Sequence, residues 1–364
     1  MSKKYRYFLY GVIILTIVVI VYFLSISNKQ ESFVTQPYDV ELNDYNRRDN
    51  KMFDLNFSYT INTRGCQDND DYLGVIIVTS YFGNVEVRSA MRRAFSGEEL
   101  KELGLRRVFL LGETKSDKFL TQEALENEAE RFGDIVQGNF HEAYRNLTYK
   151  HIMGLKWAST FCRNVKFVIK MDDDIVIDVK KVLKLLNNSN IIVDNFLAGH
   201  VLKNMQPKRD PANKWYVSFK EYPDNYYPPF LSGWFYFTTP KVAEKLVQIS
   251  NRNRYFWIDD LYVTGILARN LNVSFINLNH LFAVHTELLQ CCLRDLPNID
   301  CDFIVGPNGG DNNMFYQFNK LSIECQIKNC TQRITPLDKT CVLEKHFINT
   351  SNGSAVIEPY KLVG

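Results

Sequence analysis

The sequence VIKMDDDIV, residues 168–176, decides the fold class, because an apolar run ends there in three consecutive aspartates. A short β-branched run of this kind is typical of a strand buried in a parallel sheet. Ligands of such sheets bind beyond the carboxyl ends of the strands, so we expect Asp172, Asp173 and Asp174 at a binding edge. Neighbouring carboxylates repel unless a cation neutralises them, and oxygen ligands favour Mg²⁺ or Mn²⁺ over zinc. A solvated acidic turn is the alternative, and the preceding strand favours the metal site.

The segments on either side of this strand alternate between strand and helix patterns. Apolar runs predict further strands, at 73–80, 107–112 and 134–136. Periodic or charged segments predict helices, at 87–95, 97–103, 121–131, 141–161 and 179–186. Strands and helices that alternate in this way predict an α/β fold, with a mostly parallel sheet covered by helices on both faces. After about residue 279 the chain is rich in cysteine, and we predict an irregular structure there.

The N-terminus carries a membrane signal. Residues 7–26 contain no charged side chain, and about 20 apolar residues suffice for a helix to cross a bilayer. Lys3, Lys4 and Arg6 precede this run and predict that residues 1–6 stay in the cytosol. A cleaved signal peptide is the alternative, but its apolar core is typically shorter, about 7–15 residues. We therefore predict a signal-anchor followed by a polar stalk over 27–71, a catalytic domain over 72–290 and a packed Cys-rich extension over 291–364.

Composition and cysteine usage agree with a luminal globular domain. Hydrophobic residues make up 46% of the chain and charged residues 23%, and the net charge of +2 argues against a general nucleic-acid binder. Asn-x-Ser/Thr sequons, which are glycosylation acceptors in luminal proteins, occur at Asn56, Asn146, Asn187, Asn272, Asn329, Asn349 and Asn352. An even number of cysteines, 8, predicts disulfides whose pairing stays open, and their spacing does not match a zinc knuckle.

Three further segments are candidates for chemistry. Asp259 and Asp260 lie in an apolar stretch, which would raise a carboxyl pKa and suit a general base; a helix N-cap is the alternative reading. Arg88 and Arg92 are four residues apart, so they share a helix face that could hold a diphosphate or simply be solvated. The segment 226–234, YYPPFLSGW, combines paired prolines with aromatic side chains and predicts either a sugar platform or a rigid surface loop.

Six ordered segments carry a resemblance to a known family. The clearest are 170–174, which matches the family's Lys-x-Asp-Asp-Asp, and 227–233, which matches its Tyr-Pro-Pro-Tyr-x-Ser-Gly. The others match its arginine helix, second strand, central Asp-Ile-x-Gln motif and Glu-Asp-Val-Tyr-Val-Gly motif, at 88–95, 108–112, 134–150 and 259–265. Over roughly 73–290 the chain resembles the β-1,3-galactosyltransferases of glycosyltransferase family 31, which include β-1,3-N-acetylglucosaminyltransferases and are related to fringe.

The resemblance implies a GT-A fold, Mn²⁺ or another divalent metal, a UDP-sugar donor and inverting β-1,3 transfer of Gal, GalNAc or GlcNAc. Asp260 would be the catalytic base, and Asp174 and His285 the metal ligands, although His285 is equally well explained as a structural histidine. The donor would be bound by Arg88, Arg92, Lys150, Asp172, Asp173, Ser232, Gly233 and Asp259. The acceptor would be a glycan on a glycoprotein or glycolipid, and the enzyme would lie in the Golgi membrane with its catalytic domain in the lumen.

Several positions depart from the family pattern. They are Ala94, Phe95, Asn139, Glu142, Asp259 and an inserted Thr264. The central aspartates and the candidate base are retained, so we predict an active enzyme of a divergent branch. The alternatives are a catalytically weak member that acts as a glycan-binding or chaperone-like subunit, a metal-dependent phosphohydrolase, and a structural receptor ectodomain. The alternating helices argue against the last of these.

Overall fold

A computed structural model describes residues 57–66, 72–114, 120–187 and 194–343, together with two-residue strands at Val34–Thr35 and Tyr360–Lys361. The predicted cytosolic tail, the membrane anchor and most of the stalk lie outside the described residues. Within the described part of the chain, no helix is both long enough and apolar enough to span a bilayer. All of the candidate site residues belong to one unit, Gln36–Gly364.

A mostly parallel sheet forms the centre of this unit. Its strands are β1 Tyr59–Asn62, β2 Gly74–Thr79, β3 Leu105–Glu113, β4 Ile135–His141, β5 Phe167–Asp172, β7 Phe196–Leu202, β8 Phe230–Thr238 and β9 Ser274–Asn277, while β6 Ile175–Ile177 lies outside the sheet. Their order across the sheet is β9-β7-β8-β5-β2-β3-β4-β1. Strand β8 is antiparallel to both neighbours and β1 is antiparallel to β4, whereas the other pairs are parallel. The predicted α/β class with a mostly parallel sheet is confirmed.

Helices connect the strands, and the first five lie close to the predicted positions, whereas the other four were not predicted. They are α1 Val85–Ala94, α2 Gly97–Glu102, α3 Gln122–Phe132, α4 Leu147–Phe161, α5 Val179–Leu186, α6 Pro240–Ser250, α7 Thr286–Asp295, α8 Asn313–Lys328 and α9 Leu337–Thr340. Side-chain caps fix several starts: Ser96 forms a capping box with Glu99, and Thr239 caps a helix whose first residue is Pro240. Helix α4 starts later than predicted, after a 3-10 turn at Tyr144–Asn146.

Strand β2 is buried on both faces, which explains its continuous apolar sequence. Because successive side chains point to opposite faces, Val75 and Ile77 join the core cluster that contains residues of α4 and α6. Ile76 and Val78 join the cluster that contains residues of α1 and α8. The sheet is therefore the middle layer of three, and its strand ends remain available for a site.

The region after residue 279 is more regular than predicted. It contains α7, α8 and a short strand β10, Val305–Pro307, that pairs antiparallel with β6. Helix α8 was missed because polar side chains, Asn319 and Ser322, occupy buried positions of its 3.6-residue pattern and hide the apolar face. The predicted domain boundary at 290–291 falls inside α7.

The eight cysteines form four disulfides. The pairs are Cys66–Cys162, Cys291–Cys341, Cys292–Cys301 and Cys325–Cys330. The first links the segment before β2 to the end of α4, and the other three lie within residues 291–341. The prediction of disulfides is confirmed, and the pairing that the sequence left open is resolved.

Candidate active site

The three aspartates lie at the carboxyl edge of the parallel strands, as predicted. Asp172 is the last residue of β5, and Asp173 and Asp174 form the turn that leads into β6. The backbone N–H of Asp173 donates to the carbonyl of Thr79, the last residue of β2, at 3.2 Å. The acidic turn is thus fixed against the end of the neighbouring strand.

Two of these carboxylates have partners within the protein. Lys170 Nζ donates to Asp172 Oδ1 at 2.5 Å and also to the carbonyl of Gly233. Asp173 Oδ2 accepts from Ser80 Oγ at 2.7 Å and from Asn84 Nδ2 at 3.0 Å. Burial raises the pKa of Asp172 to about 7 even though the Lys170 charge opposes this.

Asp174 differs from its neighbours. Its side chain accepts no hydrogen bond from another described residue, and burial and the charge of Asp173 raise its pKa. Its carbonyl accepts from the N–H of Asn308 at 2.8 Å, which holds the turn in place. Asp174 is exposed and forms no salt bridge with another described residue, and a carboxylate of this kind has the chemistry expected of a divalent-cation ligand.

A hydrogen-bonded chain runs from Asp259 into the core. His151 Nδ1 lies 2.9 Å from Asp259 Oδ2, and His151 Nε2 lies 2.6 Å from the Tyr236 hydroxyl. Burial lowers the pKa of His151, so the ring is neutral; Nδ1–H then donates to the carboxylate and Nε2 accepts from tyrosine. Burial alone would raise the pKa of Asp259, but the His151 hydrogen bond and the Lys170 charge outweigh it and lower that pKa to about 2.

Asp260, the candidate base, lies next to this chain. It caps a π-helix, Leu261–Leu267, with Oδ1 accepting from the N–H of Leu261 at 2.7 Å, while Oδ2 accepts from the N–H of Gly233 at 3.3 Å. Burial, followed by the negative charge of Asp259, raises the pKa of Asp260 to about 7. The cap role suggested by the sequence is confirmed, and a carboxyl with this pKa can still accept a proton near neutral pH.

The inserted Thr264 explains the unusual helix. A π-helix holds one more residue per hydrogen-bonded turn than an α-helix, so it absorbs an insertion without moving its first residue. The Thr264 hydroxyl donates to the carbonyl of Asp260 at 2.6 Å and accepts from the N–H of Leu231 in β8 at 2.9 Å. The insertion therefore ties Asp260 to the strand that carries Ser232 and Gly233.

Gly233 is a site of close approach. A Cβ at this position would lie 3.2 Å from Asp260 Cβ and 3.4 Å from Lys170 Nζ. Ser232 and Gly233 belong to strand β8 and not to the loop predicted from the paired prolines. The prolines end before the strand, so the strand can place its backbone N–H against the candidate base.

The role predicted for Arg88, contact with the donor diphosphate, requires a correction. It is completely buried, at 0% exposed, and all of its N–H groups have partners inside the protein. Nε and Nη2 bind the two oxygens of Glu128 at 2.8 and 2.7 Å, and the remaining donors bind the carbonyls of Tyr81 and Phe82. Its donors are not free for a diphosphate; instead, Arg88 fixes the loop that brings Asn84 to Asp173.

Arg92 and Lys150 are committed in the same way. Arg92 binds both oxygens of Asp134, at 2.9 and 2.7 Å, and Glu128 at 2.8 Å. Lys150 is 1% exposed and donates to the carbonyl of Ser80 at 2.5 Å and to Glu142 at 2.6 Å. Their positions support a structural role beneath the site in place of the direct donor contact expected from the sequence.

His285 is exposed and stands at the N-cap of α7. It lines a cavity of about 550 Å³ together with His280 and Asp302. The structure does not gather His285 and the aspartates into a tight ligand cluster, since the described residues hold one group of three within 4.8 Å, Asp300 with Cys325 and Cys330. Those two cysteines are joined in a disulfide, so that group is not a metal site.

Comparison with known proteins identifies the family. A family model described as Galactosyltransferase matches residues 86–279. The chain belongs to this galactosyltransferase family. It is 35% identical over 220 residues to β-1,3-galactosyltransferase 1 of Mus musculus, a match covering 60% of this chain and 66% of the relative. It is also 35% identical over 243 residues to β-1,3-galactosyltransferase 5 of Homo sapiens, covering 66% of this chain and 76% of the relative.

Among solved structures, the WbbM bifunctional glycosyltransferase without ligand aligns with a TM-score of 0.39 and 10% identity, over 73% of this chain and 52% of that one. Because the chain belongs to the galactosyltransferase family, it is a glycosyltransferase. The resemblance to glycosyltransferase family 31 drawn from the sequence is confirmed.

Sequence reasoning missed several residues of the site. No motif pointed to Ser80, Asn84 and His151, which contact its carboxylates, or to Tyr236, which contacts His151. His151 and Asp259 are 108 residues apart in the chain, so only the fold reveals their contact. Lys170 belongs to the strand that precedes the aspartates, and its position two residues before Asp172 was the feature of the sequence that could have predicted their contact.

Proposed function

We propose that this galactosyltransferase-family enzyme transfers galactose from UDP-galactose to a hydroxyl of a glycan acceptor, with inversion and in β-1,3 linkage, on a GT-A-type fold. The names of its relatives support the sugar and the linkage. The observation that carries the proposal is the position of Asp260 beside the three-aspartate turn. This half-buried carboxyl is held by the N–H groups of Leu261 and Gly233, and its pKa is raised to about 7. GalNAc and GlcNAc remain the competing donor sugars.

In the proposed reaction Asp260 acts as the general base. Its ionised carboxylate takes the proton of the acceptor hydroxyl, and the hydroxyl oxygen attacks the anomeric carbon of the donor. The bond from that carbon to the diphosphate oxygen breaks, and UDP leaves with the electron pair. Attack from the opposite side converts an α-linked donor into a β-linked product.

Neighbouring residues keep Asp260 reactive. The N–H groups of Leu261 and Gly233 hold its two oxygens in a fixed orientation. Asp259 remains ionised through His151 and Lys170, and its negative charge makes Asp260 a stronger base. We propose that Asp259 is a positioning residue, in place of the donor contact that the family resemblance implies.

The acidic turn fits a divalent cation. Among the described residues, neither Asp173 nor Asp174 forms a salt bridge, and Asp172 adds oxygen atoms beside them, so these residues would hold Mn²⁺ or a similar ion. Such an ion would offset the charge of the donor diphosphate. We propose His285 as a further ligand, because one loop contacts both regions. The N–H of Asn308 in this loop donates to the carbonyl of Asp174, and the next residue, Gly309, lies against Thr286, which follows His285.

We further propose that the enzyme is a type II Golgi membrane protein whose acceptor is carried by a glycoprotein or glycolipid. The apolar run at 7–26 and the preceding basic residues support this topology. The sequons and the disulfides within 57–343 agree with a luminal domain.

The test measures UDP release by the full-length chain with UDP-galactose, UDP-GalNAc and UDP-GlcNAc, over a panel of glycan acceptors, with Mn²⁺ or with EDTA. We expect release from UDP-galactose that EDTA abolishes and that Asp174→Ala and Asp260→Asn both lose. Asp194→Asn, an exposed carboxylate before β7, is the matched control and should retain activity. Donor binding without release from any sugar would instead support the weakly catalytic glycan-binding subunit.

A further inference from the structure

A second polar cavity, of about 810 Å³, opens on the edge of the sheet opposite the aspartates. Its lining includes residues at the start of three strands: Tyr72 precedes β2, Leu105 begins β3 and Asp134 precedes β4. These are the amino ends of parallel strands whose carboxyl ends lie at the candidate active site. The six residues of β2 separate the two edges by about 20 Å at ~3.3 Å per residue. The cavity is therefore not part of the site described above.

The walls of this cavity are strongly basic. Its lining contains two acidic residues, Glu98 and Asp134, and seven basic residues. The basic residues are Arg64, Arg92, Arg93, Lys101, Arg106, Arg107 and Arg131. Asp134 is bound through both oxygens by Arg92, so its charge is already compensated. Among the described residues, none of the other five arginines forms a salt bridge.

Two of these arginines retain unused donors. Arg107 is 8% exposed, and its Nη1 binds the carbonyls of Met91 and Phe95 at 2.9 and 3.0 Å, but its buried Nε has no partner among the described residues. The buried Nε of Arg106 is likewise without a partner there. Burial lowers the pKa of Arg107 to about 10, although the charge of Asp134 opposes this and outweighs the smaller effect of Arg92, so an anion in this cavity would stabilise the charged form of Arg107.

We propose that this basic cavity binds a sulfate or phosphate group carried by an oligosaccharide. Guanidinium groups bind such oxyanions through paired hydrogen bonds. Because Asp134 is already paired with Arg92, Glu98 is the one acidic lining residue left to balance the other arginines, and the cavity keeps a large excess of positive charge. A volume of about 810 Å³ is within the ~300–1,000 Å³ range of small-molecule sites, and it exceeds what a single free ion needs. Such a site would hold a charged glycan away from the reacting hydroxyl and add affinity for anionic glycoconjugates.

The test is binding of defined probes to the full-length chain by calorimetry: a sulfated tetrasaccharide, a phosphorylated one, their uncharged counterpart, and inorganic sulfate and phosphate. The cavity variant is Arg93→Gln with Arg131→Gln, both exposed. The control is Arg163→Gln with Arg252→Gln, which removes the same charge from exposed positions outside the cavity. We expect at least about tenfold weaker binding of the charged tetrasaccharides to the cavity variant, and an unchanged affinity in the control.

Four results would overturn the proposal: no saturable binding of either charged tetrasaccharide, an equal loss in the control, equal binding of the uncharged probe, or inorganic ions binding as tightly as the oligosaccharides. The chain also has aspartates at 68, 70 and 71, between the lining residues Gly65 and Tyr72. Binding that appears only after these three are changed to Asn would show that the chain fills its own cavity. Transfer to an uncharged acceptor should be equal in all variants, which separates this proposal from the proposed activity.

Discussion

Arg88 offers the sharpest test of the structure, because sequence and structure assign it different roles. The sequence suggests that it grips the donor diphosphate, whereas the structure buries it completely and pairs it with Glu128. Removing one partner of a buried pair costs about 3–5 kcal/mol, because the other charge is left uncompensated. Arg92 would still bind Glu128 at 2.8 Å, so we expect about 3 kcal/mol for Arg88→Met.

This loss has a measurable size. For a domain of this size, about 3 kcal/mol lowers the unfolding midpoint by roughly 6–12 °C. Thermal unfolding of the full-length chain should show this shift for Arg88→Met, and Glu128→Gln should also lower the midpoint. Arg93→Gln, an exposed arginine on the same helix, is the control and should shift it by less than about 2 °C.

The donor KM, measured by UDP release, distinguishes the two roles. If Arg88 acts through Glu128 and the loop at 81–84, both variants raise the KM to a similar degree, and the double variant adds little to either. An unchanged midpoint in Arg88→Met, with a tenfold rise in donor KM that Glu128→Gln does not share, would refute the structural argument. It would restore the diphosphate contact inferred from the sequence.

Three further predictions concern the candidate base. Asp260→Asn should lower kcat by about 10²–10⁴-fold while donor binding persists, and transfer kinetics with a donor titration will show whether both hold. Because only ionised Asp260 can take a proton and its pKa is raised to about 7, kcat/KM should rise with pH between 5 and 8, and a flat profile would contradict this role. Gly233→Ala should reduce kcat with little change in the unfolding midpoint, because its Cβ would lie 3.2 Å from Asp260 Cβ; full activity would show that the contact is not needed.

The sequence was a good guide where the signal was local. The strand before Asp172 and the turn that follows it were predicted, because an apolar run and three acids stand next to each other. The same holds for α5, Val179–Leu186, whose observed bounds equal the predicted ones. A local pattern determines such elements, and tertiary contacts change them little.

The sequence was a poor guide wherever the partner of a charged group is distant in the chain. Arg88 and Glu128 are 40 residues apart, and His151 and Asp259 are 108 apart. A cation near a strand end looks the same in the sequence whether it faces a ligand or an internal carboxylate. The role of Arg88, Arg92 and Lys150 could therefore not be read without the fold, whereas three aspartates directly after an apolar strand were easier to place.

The departures from the family pattern argue for an active enzyme, because the structure gives each of the following residues a supporting contact. Glu142 accepts from Lys150 and from the N–H of Gly112, and Asn139 accepts from the N–H of Ser58. Asp259, the shortened acid, still reaches His151 at 2.9 Å. Two of these contacts reach the site: Lys150, which Glu142 accepts from, also donates to the carbonyl of Ser80, and His151 holds Asp259 next to Asp260. The substitutions are therefore better explained as repacking beneath a working site than as its decay.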